Sequence, residues 1–241
     1  MKVAICFYGL HPDECWKDRR PKSDKCFDYW TKNVLDNNNC DVFMHSFSSK
    51  TQDLLKYKPK SYLFEDVDYF NNNIVDREQR DYYFNKHNKK EHIPIILYIA
   101  YGIKKSVELM LEYSNEKNIK YDLILISRID VCWLTPLNFD ELNTEKFYSA
   151  IWGKKNYHSK SCDGFLAYWF LTNQSWIINF INIYDYIFKY FESDYSWHKI
   201  TKLHVNSFLK EDSIEYKFND IDNTPIDMDL QRYLDSNYNI I

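Results

Sequence analysis

Residues 121–133, with the sequence YDLILISRIDVCW, constrain the fold of this chain more than any other segment. A branched, apolar run at residues 123–126 is followed at once by Ser127-Arg128-Ile129-Asp130. Such a run is typical of a buried central strand. In open α/β sheets, ligands bind just beyond the carboxyl ends of the strands. Arg128 and Asp130 are therefore the first residues expected to contact a ligand, since an Asp can hold a divalent cation and an Arg can neutralise phosphate.

The patterns around this segment predict alternating strands and helices. Apolar and β-branched runs predict strands at residues 3–8, 40–47, 61–64, 121–127, 146–152, 164–170 and 215–218. Helical spacing of apolar residues predicts helices at residues 23–37, 94–117, 174–191 and 196–209. The polar residues 66–92 are expected to form a loop or lid with one short helix, and the acidic tail from residue 219 has no pattern. This order favours a three-layer α/β domain.

Length and composition narrow the class of protein. A chain of 241 residues is expected to form one domain, residues 1–241, with a large core. The net charge of −4, without a basic block, argues against nucleic acid as a partner. The six cysteines contain no CxxC pair, which favours reduced, structural thiols and a cytoplasmic location. The apolar run at residues 93–103 is too short for a membrane span, which needs about 20 residues.

Five features follow one another along the chain: KVAICFYGL, DVFMHSF, a long helix, YDLILISRIDV and DGFLAYW. In this order they resemble the motifs of GT-A-like glycosyltransferases, above all those of bacterial capsule and lipopolysaccharide synthesis and of large DNA viruses. The resemblance spans residues 2–210. It implies a GT-A-like (Rossmann-like) domain with a mostly parallel, mixed central sheet. It also implies a nucleotide-sugar donor, a glycan or glycoconjugate acceptor and usually a divalent metal, Mn²⁺ or Mg²⁺.

The resemblance gives Arg128 and Asp130 specific roles. In this fold an Asp-x-Asp after a central strand binds the metal and the donor diphosphate, and the matching positions here are Arg128-Ile129-Asp130. Only the second carboxylate is present. Asp130 would then hold a metal that relies on the diphosphate and waters for its other ligands, or Arg128 would itself supply part of the positive charge. Alternatively, Asp130 caps a turn and Arg128 pairs with a nearby carboxylate.

Literal Asp-x-Asp strings occur at Asp66-Val67-Asp68, Asp220-Ile221-Asp222 and Asp227-Met228-Asp229. None follows a long apolar strand, so we expect them to be surface acids. The last two can still fold back near the site.

The resemblance also implies that residues after the first two strands contact the donor. The loop at Tyr8 and Gly9 approaches the nucleotide in this fold, where a glycine admits the backbone and a tyrosine ring can stack on a base. His45 can contact donor phosphate or ribose. Each also has an ordinary structural interpretation, a core tyrosine at a strand end and a hydrogen-bonded histidine.

Two further candidates come from the second half of the chain. A carboxylate near DGFLAYW often lies by the acceptor in this fold, so Asp163 is the candidate base that takes the acceptor proton in an inverting reaction. The alternative is a turn aspartate before Gly164. In this fold a further metal ligand often comes from the C-terminal part of the chain. His198 and His204 lie there, and His204 is our candidate for that ligand. A lone histidine on a helix is commonly structural.

The sequence thus predicts a glycosyltransferase that moves a sugar from a nucleotide-sugar donor to an acceptor hydroxyl. One rival is a sugar nucleotidyltransferase, but Tyr8-Gly9-Leu10-His11 has a single glycine where such enzymes carry a glycine-rich loop. The other rival is a non-catalytic glycan-binding or scaffold domain, which the missing first aspartate of the Asp-x-Asp supports.

Overall fold

A computed structural model describes residues 1–11, 25–87, 92–151, 164–217 and 228–230. The strands are β1 (Val3–Tyr8), β2 (Cys40–Ser46), β3 (Ser61–Phe64), β4 (Leu123–Arg128), β5 (Val131–Trp133), β6 (Phe147–Ile151), β7 (Phe165–Thr172), β8 (Ile214–Tyr216) and β9 (Met228–Leu230). The α-helices are α1 (Lys25–Trp30), α2 (Thr51–Leu54), α3 (Val67–Asn73), α4 (Arg77–His87), α5 (His92–Lys117), α6 (Gln174–Ile181), α7 (Ile187–Phe191) and α8 (Trp197–Asn206). A π-helical stretch, Thr31–Leu35, continues α1.

Seven strands form the central sheet, in the order β3-β2-β1-β4-β7-β6-β8. β1 pairs in parallel with β2 and β4, β2 pairs in parallel with β3, and β6 pairs in parallel with β8. β7 is antiparallel to both of its neighbours, β4 and β6, so it alone among these seven strands is reversed. The prediction of an α/β fold with a mostly parallel, mixed central sheet is confirmed.

Two apolar cores lie on the two faces of this sheet. Successive residues of a strand point to opposite faces, and in β1 Ala4 and Cys6 join the core under α5 while Val3 and Ile5 join the core that includes Trp30 of α1. β4 divides its residues in the same way. The sheet is therefore covered on both faces, as the predicted three layers require. Among the described helices, none has the length and apolar character needed to cross a membrane.

Residues 66–92 differ from the predicted loop with one short helix, because two helices, α3 and α4, occupy most of this segment. Asp66 caps α3, since its carboxylate accepts hydrogen bonds from the backbone N–H groups of Asp68 and Tyr69. Each helix has one buried residue, Phe70 in α3 and Tyr83 in α4. So little apolar surface gives no detectable periodicity, which is why the sequence pattern missed the second helix.

The predicted helix at residues 174–191 is also wrong, because a turn separates α6 from α7. The backbone N–H groups of Ile183, Tyr184 and Asp185 donate to carbonyl groups three residues back rather than four. Asn182 and Asp185 fall in this turn, and both residue types are weak helix formers because their side chains compete for backbone hydrogen bonds.

β5 and β9 form a separate two-stranded ribbon that the sequence did not predict. They are antiparallel, with Val131 opposite Leu230 and Cys132 opposite Asp229. Each has only three residues, which is too short for a period-2 pattern to be recognised. On the other side of β5, the Sγ atom of Cys132 lies 2.7 Å from that of Cys26 in α1.

Candidate functional site

The candidate site lies where the strand order of the sheet reverses. After β1 the chain continues to β2 and β3 on one side of it and then returns to β4 on the other. Ligands of open α/β sheets bind at such a switch point, outside the carboxyl ends of the strands. Tyr8, the last residue of β1, lies opposite His45 of β2 and Arg128 of β4. Three of the predicted site residues are therefore neighbours in one row at this edge.

Arg128 and Asp130 form a two-point ion pair with each other. Nε of Arg128 donates to Oδ1 of Asp130 at 2.8 Å, and Nη2 donates to Oδ2 at 2.6 Å. The exposed fractions of the two side chains are 19% and 6%. The guanidinium carbon lies 5.4 Å from the centre of the Tyr168 ring. Both carboxylate oxygens of Asp130 thus accept from Arg128, as in the alternative that paired the arginine with a nearby carboxylate.

The chain just after this pair is fixed by α1 and the π-helical stretch behind it. The indole N–H of Trp30 donates to the backbone oxygen of Val131 at 2.7 Å. The amide of Asn33 donates to the backbone oxygen of Trp133 at 2.6 Å. Both bonds are buried, where breaking one leaves an unsatisfied carbonyl. They hold β5 in place and so limit where the two-residue turn at 129–130 can go.

A cleft of about 430 Å³ opens beside Arg128. Because β7 is reversed, its first residues lie at the same edge of the sheet as the carboxyl end of β4. The starts of α5 and α8 complete the wall. The lining residues are His92, Ile95, Ile96, Ile99, Arg128, Ala167, Tyr168, Tyr195, Ser196, Trp197 and His198. The first turns of two helices and one guanidinium therefore line one cleft, and helix N-termini and guanidinium groups both favour an anion.

His198 is a neutral side chain in the wall of this cleft. Its Nδ1–H donates to the backbone oxygen of Phe165 at 2.8 Å, which fixes the orientation of the ring. Burial, together with the nearby charge of Arg128, lowers the pKa of His198 to about 4. Gly164 allows the close contact between β7 and α8, since a Cβ there would lie 2.6 Å from the backbone oxygen of His198.

Tyr8 and Gly9 lie at the carboxyl end of β1, and the Tyr8 ring is fully buried. Its hydroxyl donates to the backbone oxygens of Ala167 and Tyr168 over long distances of 3.5 and 3.4 Å. Burial raises the pKa of Tyr8. Gly9 has a φ of +109°, a conformation that favours glycine. Tyr8 thus supports the floor of the site, and Gly9 turns the chain away from the sheet.

His45 is also buried, beside Tyr8. Its Nε2 lies 2.8 Å from Oε2 of Glu65. Burial lowers the pKa of His45, and the hydrogen bond to His45 lowers the pKa of Glu65, so the pair is a neutral imidazole that donates to a carboxylate. A Cβ at Gly102 of α5 would lie 3.3 Å from Nδ1 of His45 and 3.4 Å from the Cβ of Tyr8. Gly102 thus lets α5 approach the sheet closely at these two residues.

His204 lies in the core of the helical layer. Its Nδ1 accepts from the hydroxyl of Tyr190 at 2.8 Å, and its Nε2–H donates to the backbone oxygen of Asn179 at 2.9 Å. Burial lowers its pKa. Of the two histidines considered from the sequence, the structure places His198 in the cleft wall. Both ring nitrogens of His204 are used by protein groups.

The described residues do not offer a ligand set for a divalent metal. They contain no group of three or more His, Cys, Asp or Glu side chains that could hold one. Asp130, the residue predicted to bind it, is engaged by Arg128 through both oxygens. Asp163, the predicted acceptor base, lies outside the described residues.

The other Asp-x-Asp strings divide into three cases. Asp66 is the cap of α3. Asp220-Ile221-Asp222 lies outside the described residues. Of Asp227-Met228-Asp229, the last two residues belong to β9 and pair with β5, next to Asp130. The backbone there folds back toward the site, which is the alternative that the sequence left open.

No protein-family model matches the chain, and no curated protein does. Solved structures similar to it include an active-site mutant of LgtC, 11% identical with a TM-score of 0.42, over 90% of this chain and 72% of that one. The bifunctional glycosyltransferase WbbM is 10% identical with a TM-score of 0.39, over 90% of this chain and 38% of that one. Mouse xyloside xylosyltransferase 1 is 10% identical with a TM-score of 0.37, over 90% and 85% of the two chains. At such identities, function has to be argued from the cleft.

Proposed function

We propose that the protein is a glycosyltransferase that uses a nucleotide-sugar donor. The observation that carries the proposal is the position of Arg128. It ends β4 at the switch point of the sheet and faces a cleft at which α5 and α8 begin. A guanidinium and two helix N-termini attract the same kind of group, a phosphate. The diphosphate of a nucleotide sugar fits this arrangement, and the order of sequence motifs independently suggests the same class of enzyme.

The reaction makes a specific demand on the cleft. The acceptor oxygen forms a bond to the anomeric carbon, while the bond from that carbon to the diphosphate breaks and the nucleoside diphosphate leaves with the electron pair. Negative charge grows on the leaving oxygen, and fixed positive groups that face it stabilise the transition state. Arg128 and the helix N-termini would do this. The acceptor proton has to pass to a base, and Asp163, next to Gly164 in the sequence, remains the candidate.

The rest of the cleft wall suits the sugar rings. Its apolar and aromatic side chains include Ile95 and Ile99 of α5, Tyr168, Tyr195 and Trp197. Aromatic and aliphatic side chains bind the apolar faces of pyranose rings, while their polar tips can bond hydroxyl groups. This wall supports a glycan or glycoconjugate as the acceptor.

A non-catalytic glycan-binding domain is the second candidate, and one observation favours it. Both oxygens of Asp130, the one carboxylate left from an Asp-x-Asp, are used within the protein. A domain without catalytic activity would not need these oxygens for a ligand, so it would tolerate the ion pair between Asp130 and Arg128.

Turnover separates the two candidates. The purified protein is incubated with a panel of nucleotide sugars and a glycan library, and release of nucleoside diphosphate and formation of product are followed by mass spectrometry. We expect one donor to be consumed, and Arg128→Gln to lower the rate by about 10² or more. Arg77→Gln, an exposed arginine in α4, is the matched control and should keep the wild-type rate. Glycan binding without consumption of any donor would favour the second candidate.

A further inference from the structure

We propose that this site binds the diphosphate of its nucleotide ligand without a divalent cation, with Arg128 in the place of the metal and Asp130 as the residue that positions Arg128. The inference rests on the proposed function and specifies how the same site balances charge. It departs from the metal that the sequence resemblance implies.

The geometry of Asp130 is the first argument. A Mg²⁺ ligand oxygen lies about 2.0–2.1 Å from the ion, and the guanidinium already takes one lone pair of each carboxylate oxygen. A cation at Asp130 would also lie next to the positive charge of Arg128. Because Asp130 is buried and the bonds are 2.8 and 2.6 Å long, a metal would have to displace the paired guanidinium or bind the remaining lone pairs directly beside its charge.

The second argument is the set of donors around the cleft. Hard divalent cations need several carboxylate or carbonyl oxygens in an octahedral or larger shell. The part of the chain that the structure describes assembles no group of three His, Cys, Asp or Glu side chains. The two late histidines do not supply the missing ligands, since His204 uses both nitrogens internally and the Nδ1 of His198 is bound to Phe165.

The third argument is that positive groups already face the cleft. Arg128 keeps its charge at all physiological pH values and presents a planar set of donors that matches phosphate oxygens. The Tyr168 ring below it and the Asp130 carboxylate beside it fix the plane of the guanidinium. The starts of α5 and α8, helices of 26 and 10 residues, add partial positive charge.

Trp197 provides a separate sign that a polar ligand belongs here. It lines the cleft, and its side chain is almost entirely buried, with 7% exposed. Among the described residues its indole N–H has no hydrogen-bond partner. A buried donor without an acceptor is costly, and a phosphate or sugar oxygen in the cleft would satisfy it once the indole turns to bring its enclosed nitrogen into the cleft.

Metal dependence of binding tests the inference. The wild-type protein is titrated calorimetrically with UDP, GDP, dTDP and inorganic pyrophosphate, once in excess EDTA and once in excess Mn²⁺. We expect at least one probe to bind in EDTA, and Mn²⁺ to tighten its Kd by less than about threefold or to weaken it, since Mn²⁺ complexes the free diphosphate. A larger tightening by Mn²⁺ would overturn the inference and leave the proposed glycosyltransferase standing. No binding of any probe in either buffer would overturn both.

Two variants test the roles of the pair. Asp130→Asn keeps the size of the side chain but removes its charge, so Arg128 is held less firmly. We expect about tenfold weaker binding, by the same factor in EDTA and in Mn²⁺. Arg128→Lys keeps the charge without the planar donors and should fall between wild type and Arg128→Gln. Unchanged Kd values for Asp130→Asn in a folded protein, checked by thermal unfolding, would contradict the positioning role.

Discussion

The buried, neutral His198 predicts a specific pH dependence of stability. Burial and the nearby Arg128 charge lower its pKa to about 4 in the folded protein, whereas a histidine in an unfolded chain titrates near 6.5. Below that value the unfolded chain gains a proton that the folded chain does not take up. The contribution of His198 is therefore complete above pH 6.5 and is lost as the pH falls toward 4.

The size of this effect follows from the two pKa values. Between pH 8 and pH 5, a pKa of about 4 in the folded protein and about 6.5 in the unfolded chain lowers the unfolding free energy by about 2 kcal/mol. His45 and His204 also have lowered pKa values because they are buried. Their contributions have the same sign, so the wild-type protein should lose more than this amount.

His198→Asn isolates the contribution of this one residue. The asparagine amide places a donor close to the position of Nδ1, so it can still bond the backbone oxygen of Phe165, but it does not titrate. Urea denaturation of both proteins at pH 8 and pH 5 gives four free energies. We expect the loss between these pH values to be about 2 kcal/mol smaller in the variant. Losses equal to within about 0.5 kcal/mol would show that His198 is not held neutral.

Two further predictions concern stability. Gly164→Ala should lower the unfolding free energy by about 1–3 kcal/mol, because the new Cβ would lie 2.6 Å from the backbone of His198. Gly102→Ala is the comparison, since its new Cβ would come no closer than 3.3 Å to another atom and should cost less in the same urea titration. Equal losses of unfolding free energy in the two variants would contradict the close contact at Gly164. Arg128→Met should cost about 3 kcal/mol because it leaves a buried carboxylate unpaired, and adding Asp130→Leu should recover most of the loss. A double variant as unstable as the single one would rule out that explanation.

The sequence predicted the central strands well because their signal is local. β1 and β4 are apolar runs that end in polar residues, and the structure places both in the middle of the sheet. The Arg128–Asp130 pair is also local, since only Ile129 separates the two residues at the turn that follows β4. The bare sequence pattern did not place Tyr8 directly beside Arg128, because strand order depends on long-range packing.

The helical part of the site was less predictable for a geometric reason. His198 and His204 are six residues apart, which places them on different faces of a helix. Spacing can therefore show that they do not share a surface, but the packing of α8 against β7 decides which of them meets the cleft. The same holds for the part of α5 that lines the cleft. Apolar periodicity identifies the buried face of a helix, but it does not show which other element the first turn of that helix will contact.

The β5–β9 ribbon has a consequence for the order of folding. β5 directly follows Asp130, and its antiparallel partner comes about 100 residues later, a separation that makes loop closure slow and entropically unfavourable. At about 5–20 residues per second, a ribosome needs roughly 5–20 s to synthesise that stretch. During this time β5 is held by contacts outside the ribbon, such as those with Trp30, Asn33 and Trp169. The frame around the site is therefore completed only after β9 has been synthesised, and the same short ribbon should be among the first parts to open in native-state hydrogen exchange.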